Sequence, residues 1–538
     1  MQSKPLISLR PNPFGKVLAS VVLFFLLQST SVFSATWYVA TNGADSNAGT
    51  TSNSPFATIM RAQTAASSGD TVYLRGGTYY LNDANITATS GTSPNAYKIV
   101  NNMTKNGVSY VAYPGELPVF DFSSVQPVTN RVSAFLVSAS DCVFKGFDVV
   151  GVQVTIESGQ AKNTQSECFR VTGNRNRFEQ LRMHDGMGIG WYLTDGSSNL
   201  VLNCDAYNNR GLDSLSIGNV DGFGCHPSHT SGTGNIIRSC RSWFNSDDGY
   251  DCINAQAAVT FDHSWAFNNG YFTNFASSGG DANGFKAGGY GITNGSPPNP
   301  VPRHLVKFCL AVRNRANGFY ANHHVGGDDW FNNTSYRNGT DYNMLGNLDA
   351  QSSAHDVPGF GHVMKNNLGF KGGNGGTDYS NIGPTNDTTF NYFTLPVTVA
   401  SNDFVTLDES LLTAPRQTNC NLPYINLARL TNTSDCINVG TNLGFAFYDS
   451  APDLGAFEFG PTSAPLPAVA WLGTNLVFTA SGWANQTNYL IASTNLALPQ
   501  SQWTTIATNF SDLAGNCTFS NAIPAAVLSR FYGISIVW

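Results

Sequence analysis

Four carboxylates and one amine in a 66-residue stretch have the spacing to meet and do chemistry. Asp221 lies in VDGFG (Val220–Gly224), Asp247, Asp248 and Asp251 in DDGYD (Asp247–Asp251), and Lys286 in ANGFK (Ala282–Lys286). Carboxylates brought together repel one another, so some must take up protons unless a cation sits between them. An all-oxygen donor set suits Ca2+ better than zinc or copper. His226 and His229 follow Asp221 closely, but no Cys/His spacing repeats, so neither is expected to be a ligand. A lysine beside a divalent ion is pushed toward its neutral form, while neighbouring aspartates pull the other way. If the ion dominates, Lys286 becomes a general base. Such a base can take the proton next to the carboxylate of a uronic acid, with the ion withdrawing charge, so that elimination expels the C4 oxygen.

Two plainer readings stand beside this one. Asp-Gly and Asn-Gly are ordinary turn dipeptides, and stacked Asp and Asn can form a hydrogen-bonded ladder at a corner. Asp251 and Lys286 can form a simple ion pair. A ladder, however, has no use for stacked unpaired charge.

What brings these residues together is a repeat. NCDAYNN (Asn203–Asn209), SCRSWFN (Ser239–Asn245), HSWAFNN (His263–Asn269), FCLAVRN (Phe308–Asn314), NNTSYRN (Asn332–Asn338) and KNNLGFKG (Lys365–Gly372) share a small residue, an aromatic or small pair and usually a closing Asn. Anchored at Cys204, Cys240, Ser264, Cys309, Asn333 and Asn367, they are spaced by 36, 24, 45, 24 and 34 residues. FEQLRMHD (Phe178–Asp185) extends the series upstream. A period in the twenties with strand-type residues is a solenoid signature, the longer gaps being the same coil with a loop inserted. The second motif of each coil falls at anchor plus eight in Asp248, Asn317 and Asp341, and an insertion delays it to Asp221 and Asn283. Stacked coils bring equivalent positions within about 4.8 Å. The expected columns are Asp221, Asp248 and Asn283; a core column of Phe223, Tyr250, Phe285 and Phe319; and Gly224, Asp251, Lys286 and Tyr320. Asn209, Asn245, Asn269, Asn314 and Asn338 are expected to form an Asn ladder. The predicted fold is all-β, a right-handed parallel β-helix (solenoid) with a small C-terminal antiparallel β module.

The motifs NSDDGYD (Asn245–Asp251), HSWAFNNG (His263–Gly270), NGFKAGG (Asn283–Gly289), FCLAVRNRANGFYAN (Phe308–Asn322) and NNTSYRNG (Asn332–Gly339) resemble the core of family 9 polysaccharide lyases. The resemblance runs from Trp37 to Gly460 and is strongest over Asp221–Gly339. It implies a pectate lyase-like enzyme in which Asp221, Asp247, Asp248 and Asp251 bind Ca2+ and Lys286 is the base. VDGFGCHPSH departs from the family's apolar sequence after its Asp-Gly, which bears on substrate fit. Arg303, Lys307, Arg313, Arg315 and Tyr320, one coil further on, are candidates for binding substrate, with solvated surface charge as the plain alternative. Other readings for a β-helix are a glycoside hydrolase of the polygalacturonase type, with paired aspartates as acid and base, and a non-catalytic polysaccharide-binding adhesin. Neither Gly-His-Gly nor Arg-Ile-Lys occurs in a place that would suit the hydrolase.

Composition narrows partners and location. Lys4, Arg10 and Lys16, an apolar run from Val17 to Leu27 and small residues at Val32 and Ser34 read as a signal peptide, residues 1–34, cleaved near Ser34–Ala35. The expected protein is secreted, has no membrane span in its mature form and is a monomer. The net charge of −7 loses three cations with that peptide and becomes −10. This argues against nucleic acid as a partner and requires an acidic polysaccharide to be held by a local cation. Residues 35–460 are read as the β-helix domain, 461–467 (PTSAPLP) as a linker and 468–538 as the β module. Ten cysteines permit disulfides, Cys204 with Cys240, Cys225 with Cys252 or Cys420 with Cys436, or else unbonded core thiols.

Overall fold

Short strands set three to a coil, with tight corners between them, organise the chain. The computed structural model describes residues 34–93, 96–155, 165–211, 219–371, 376–460, 468–472, 475–481, 486–495, 498, 502–512, 516–522 and 530–536. The predicted leader and the 461–467 linker lie outside them. One short α-helix, Ile59–Ala65, follows the first strand, its end capped by the Thr58 side chain accepting from the Arg61 N–H. No helix of the described residues is long and apolar enough to cross a membrane.

Three long sheets run the length of the winding. Sheet I has 11 strands, from Thr36–Val39 to Val363–Lys365. Sheet II has 10, from Gly77–Asn82 to Leu368–Phe370. Sheet III has 11, from Ala88–Ser90 to Thr377–Ser380. Neighbouring strands are parallel except Ala88–Ser90 against Tyr97–Met103 at the start of sheet III. The anchor residues precede the sheet II strands, and the register that pairs Ala206 with Ser242, Ala266, Ala311 and Ser335 confirms their alignment.

Corners explain the repeat. Asn203, Ser239, His263, Phe308 and Asn332, each just before an anchor, have φ between 50° and 55°. Asn208, Phe244, Asn268, Arg313 and Arg337, just before the ladder asparagines, have φ between 52° and 60°. One left-handed residue turns the chain sharply, and Asn tolerates it better than most. The next residue, the ladder Asn, accepts from the coil before it: Asn209 N–H to Asn245 Oδ1, Asn245 to Asn269, Asn269 to Asn314 and Asn314 to Asn338, at 2.8–3.3 Å. Buried backbone amides at the corner are thus satisfied without water.

The core column of sheet III is the expected one. Phe223, Tyr250, Phe285 and Phe319 are fully buried and stack with ring centroids 5.1, 4.6 and 5.2 Å apart. It extends to Tyr342 downstream and, through Trp191, to Phe169 and Phe135 upstream. All ten cysteines are free thiols, so Cys204, Cys240, Cys225 and Cys252 serve as small core residues. Asp341 does not join the acidic column: Thr340 takes the register opposite Asn317, and Asp341 turns inward to Ser335 and Asn338.

The last parallel strands end at Ser380, well before Gly460. Beyond them Phe404, Leu412, Ile425, Leu427 and Leu430 lie against Trp265, Leu310, Val312 and Leu368 of sheet II and cover its apolar outer face. Further on come two three-stranded antiparallel sheets, Ala468–Leu472, Asn475–Ser481 and Asn516–Ala522 in one, Thr504–Phe510, Thr487–Ser493 and Phe531–Ile536 in the other. Phe478, Leu490, Cys517 and Phe519 form their core.

Candidate active site

Strand register on sheet III brings the predicted residues together. Gly224 pairs with Asp251, Asp251 with Lys286 and Lys286 with Tyr320, one outward-facing column. At the adjoining corner Asp221 Oδ1 accepts the Asp248 N–H at 3.1 Å, Asp248 Oδ1 the Asn283 N–H at 2.6 Å and Asn283 Oδ1 the Asn317 N–H at 3.3 Å. Asp221, Asp248 and Asn283 therefore do form a ladder. Asp247 Oδ1 accepts the Asp281 N–H at 2.5 Å, and Asp251 Oδ1 the Ile253 N–H at 2.6 Å. Each of the four aspartates is thus fixed through one oxygen by a backbone amide, which leaves its second oxygen for other work.

One of those second oxygens is buried without a hydrogen bond. Oδ2 of Asp248 accepts no hydrogen bond of good geometry, although Lys286 Nζ lies 3.0 Å away. The same Nζ is 3.3 Å from Oδ2 of Asp251 and 3.3 Å from Oδ2 of Asp281. Donor oxygens of Asp221, Asp248 and Asp251 lie within 4.8 Å of one another, and so do those of Asp247, Asp248 and Asp281. Asp221, Asp247, Asp248, Asp251 and Lys286 are all buried, between 0% and 6% exposed. Two carboxylates about 4 Å apart repel by about 4 kcal/mol at an effective dielectric of about 20. A ladder hydrogen bond returns about 1 kcal/mol. Asn would make the same ladder without the repulsion, so the ladder alone does not account for aspartate here. A hard divalent cation among the second oxygens would, and Ca2+ is the ion that an all-oxygen donor set suits.

The electrostatics agree. Burial, then Asp247, Asp251 and Asp248, push the Asp221 carboxyl well up. Burial and Asp248 do the same to Asp247. Burial raises Asp248 to about 6 against the pull of Lys286. For Lys286, burial favours the neutral amine, but Asp248, Asp251, Asp247 and Asp281 outweigh it and hold the ammonium. A free amine at Lys286 therefore requires that these carboxylates be neutralised by something else.

The other predicted residues scatter. Arg303 pairs with Asp329 at 2.7 Å at the edge of sheet I, Lys307 on sheet I with Asp262 at 3.3 Å, and Arg313 beyond sheet II with Glu409 at 3.0 Å. None joins the Lys286 column. Tyr320 does, and Arg315 bonds the Gly280 carbonyl in the loop that carries Asp281.

One residue at the site, Asp281, was not picked out from sequence, and a second, His226, was noted there only as not a ligand. Asp281 lies in an inserted loop with no counterpart in the repeat. His226 places Nε2 over Gly224: a Cβ on that glycine would lie 2.9 Å from Nε2 and 2.5 Å from the Tyr192 ring. His226 Nδ1 donates to the Ile253 carbonyl at 2.5 Å, leaving an unprotonated Nε2 with no partner. His229 is exposed and pairs with Asp195.

Residues 37–367 match a family model described as the Pel9A-like, right-handed beta helix region. Pectate lyase L of Dickeya chrysanthemi is 34% identical over 464 residues, 82% of this chain and 98% of that protein. Pectate lyase L of Dickeya dadantii is 33% identical with the same coverage. Among solved structures, a rhamnogalacturonan lyase is 41% identical with a TM-score of 0.70, over 74% of this chain and 97% of its own. The structure of pectate lyase Pel9A is 29% identical with a TM-score of 0.62, over 79% and 97%.

Proposed function

Because the chain belongs to the Pel9A-like right-handed β-helix family of polysaccharide lyases, we propose that it cleaves a uronic-acid-containing polysaccharide by Ca2+-dependent β-elimination with Lys286 as base, polygalacturonate being the first substrate to test. The supporting observation is the acid cluster itself: four buried aspartates, each pinned through one oxygen, around a single buried amine. Asp221, Asp247, Asp248 and Asp251 would hold the Ca2+, whose positive charge beside the sugar carboxylate would acidify C5–H and stabilise the charge that develops there.

With Asp247, Asp248 and Asp251 neutralised, burial, the largest influence on Lys286, favours the neutral amine against the single remaining carboxylate of solvent-exposed Asp281. Nζ then takes the C5 proton, the released electron pair forms the C4–C5 double bond, the C4–O bond breaks and the departing oxygen takes up a proton. Arg315 and Tyr320 keep a proposed role in holding substrate because they flank this column; Arg303, Lys307 and Arg313 have acidic partners elsewhere. The leader-like N-terminus supports secretion, where such a polymer would be met.

Rhamnogalacturonan is a second reading, favoured by the 41% identity to a rhamnogalacturonan lyase. Assay of polygalacturonate and rhamnogalacturonan for the ultraviolet absorbance of the unsaturated uronate, with calcium and then with chelator, tests both. Absorbing product on either glycan, lost with chelator, is expected. Reducing ends without absorbance would replace the lyase with a hydrolase.

A further inference from the structure

A chain of side-chain amides runs into the acid cluster from the coils after it. Asn283 Nδ2 donates to Asp248 Oδ1 at 2.8 Å, Asn317 Nδ2 to Asn283 Oδ1 at 2.6 Å, Asn343 Nδ2 to Asn317 Oδ1 at 3.1 Å and Asn381 Nδ2 to Asn343 Oδ1 at 2.9 Å. Four amide dipoles thus lie head to tail, each with its NH2 end toward Asp248. Asp248 Oδ1 takes the Asn283 backbone N–H as well, at 2.6 Å. That oxygen therefore has a side-chain donor in addition to the single backbone donor that holds Asp221, Asp247 and Asp251.

The chain runs against the direction of the long ladders elsewhere. From Asn209 to Asn338, and again through Asn333, Asn367 and Asn391, each Nδ2 donates to the Oδ1 of the coil after it. Built that way beside Asp248, the chain would set a carbonyl oxygen against a carboxylate oxygen, acceptor against acceptor. Burial does not call for its whole length either. Asn283 is 2% exposed, but Asn343 is half-buried and Asn381 exposed, where water can take the same hydrogen bonds. What amides in line add is polarisation. An amide that accepts at oxygen donates more strongly at nitrogen, so each link strengthens the next. The strengthened end is Asn283, and it meets Asp248 Oδ1. The other oxygen, Oδ2, is buried without a hydrogen bond and lies 3.0 Å from Lys286 Nζ.

We propose that Asn283, backed by Asn317 and Asn343, is a positioning residue that acts through Asp248, holding Oδ1 so that Oδ2 alone is turned to Lys286 and to a cation in the acid cluster. The proposal rests on the reading of that cluster as a Ca2+ site and gives the amide chain a part in it. Asn283 itself touches neither ion nor sugar. Without its Nδ2 donor the Asp248 carboxylate gains freedom about χ2, a torsion with little preference of its own. Ordering it then falls to the ion, which binds more weakly for that cost.

The test is calorimetric titration of Ca2+ alone into the whole protein, with Tm measured separately in chelator. Asn283→Ala is expected to weaken Ca2+ about tenfold, the scale of one hydrogen bond to a charged group. Asn317→Ala, at a half-buried position, should weaken it about threefold, and Asn343→Ala less than about twofold, since polarisation fades with each link. Asn317→Ala decides alone if Asn283→Ala does not fold. A ladder with a structural role only would lower Tm in chelator and leave the calcium constant where it was. An unchanged constant in Asn283→Ala and Asn317→Ala, or a loss at Asn343 as large as at Asn283, overturns the proposal and leaves the calcium site standing. Unmodified protein that binds no Ca2+ overturns the reading of the acid cluster, and the proposal falls with it.

Discussion

Aspartate enters two corner ladders of this solenoid, with opposite consequences. Along sheet I the ladder runs Asn176, Asn199, Asn235, and later His304, Asp328, His362, Asn386, each side chain accepting a backbone N–H from the coil before it. Along sheet III it runs Asp221, Asp248, Asn283, each accepting from the coil after it. Asp328 stands alone among imidazoles. Burial pushes its carboxyl well up, toward the neutral acid that can stand in for Asn. His304, His324 and Asp328 offer ligand atoms within 4.8 Å of one another, yet they do not make a metal centre. The Val259 and Gly289 N–H groups donate to Nδ1 of His304 and His324, which leaves the proton of each neutral ring on Nε2 and no lone pair there for an ion. At Asp221 and Asp248 the amides occupy one oxygen each, and Asp247, Asp251 and Lys286 crowd the other. What separates a closed ladder from one that could take a cation is therefore which lone pairs the backbone leaves over, more than how close the donors lie.

The comparison can be broken in four places. Lys286→Ala should have the largest effect, a loss of about a thousandfold in turnover with the fold intact, as expected for a lost general base; turnover within tenfold of wild type removes Lys286 from the reaction. Asp248→Asn keeps the ladder acceptor and removes the charge. The wild-type protein should gain about 3 kcal/mol of stability at calcium a hundredfold above its Kd, read as a rise in Tm, and the variant should gain little or nothing. An undiminished calcium response would make Asp248 a ladder residue only.

Acid stability probes the closed ladder. Burial depresses His324 to about 4 and His362 to about 3, below the ordinary 6.5. The unfolded chain therefore takes up protons at a higher pH than the folded one. This contribution to stability is full above about pH 6.5 and is lost as pH falls toward 4 for His324 and 3 for His362. His362→Asn preserves the ladder and should flatten the fall in that window by one proton, roughly 1 kcal/mol per pH unit; an unchanged slope would mean that His362 is not buried neutral. The smallest effect is expected for Asp328→Asn, a stability change within about 1 kcal/mol and unaltered turnover. A large loss of activity there would show the two ladders to be coupled.

Much of the site was legible because a solenoid turns sequence register into spatial register. Once the anchors were aligned, Asp251, Lys286 and Tyr320 had to be neighbours, and the Asn ladder and aromatic core followed from the same alignment. It slipped where coils lose their regularity. Asp341 was placed one residue off because its coil is shorter between ladder Asn and strand, and Asp281 lies in an insertion that no repeat covers. The end of the last parallel strand at Ser380 was hidden because the segment that covers sheet II keeps the same turn-rich composition.

The sequence by itself determined the order of the coils and which side chains recur at each level, since hydrogen bonds between stacked strands admit one parallel register. Only the tertiary structure decided which face each cation occupies, which aspartate oxygen is already held by an amide, and that Arg303, Lys307 and Arg313 are paired far from Lys286. Those outcomes depend on how loops and the chain beyond Ser380 close over the coils, a matter of three-dimensional packing that carries no periodic trace along the chain.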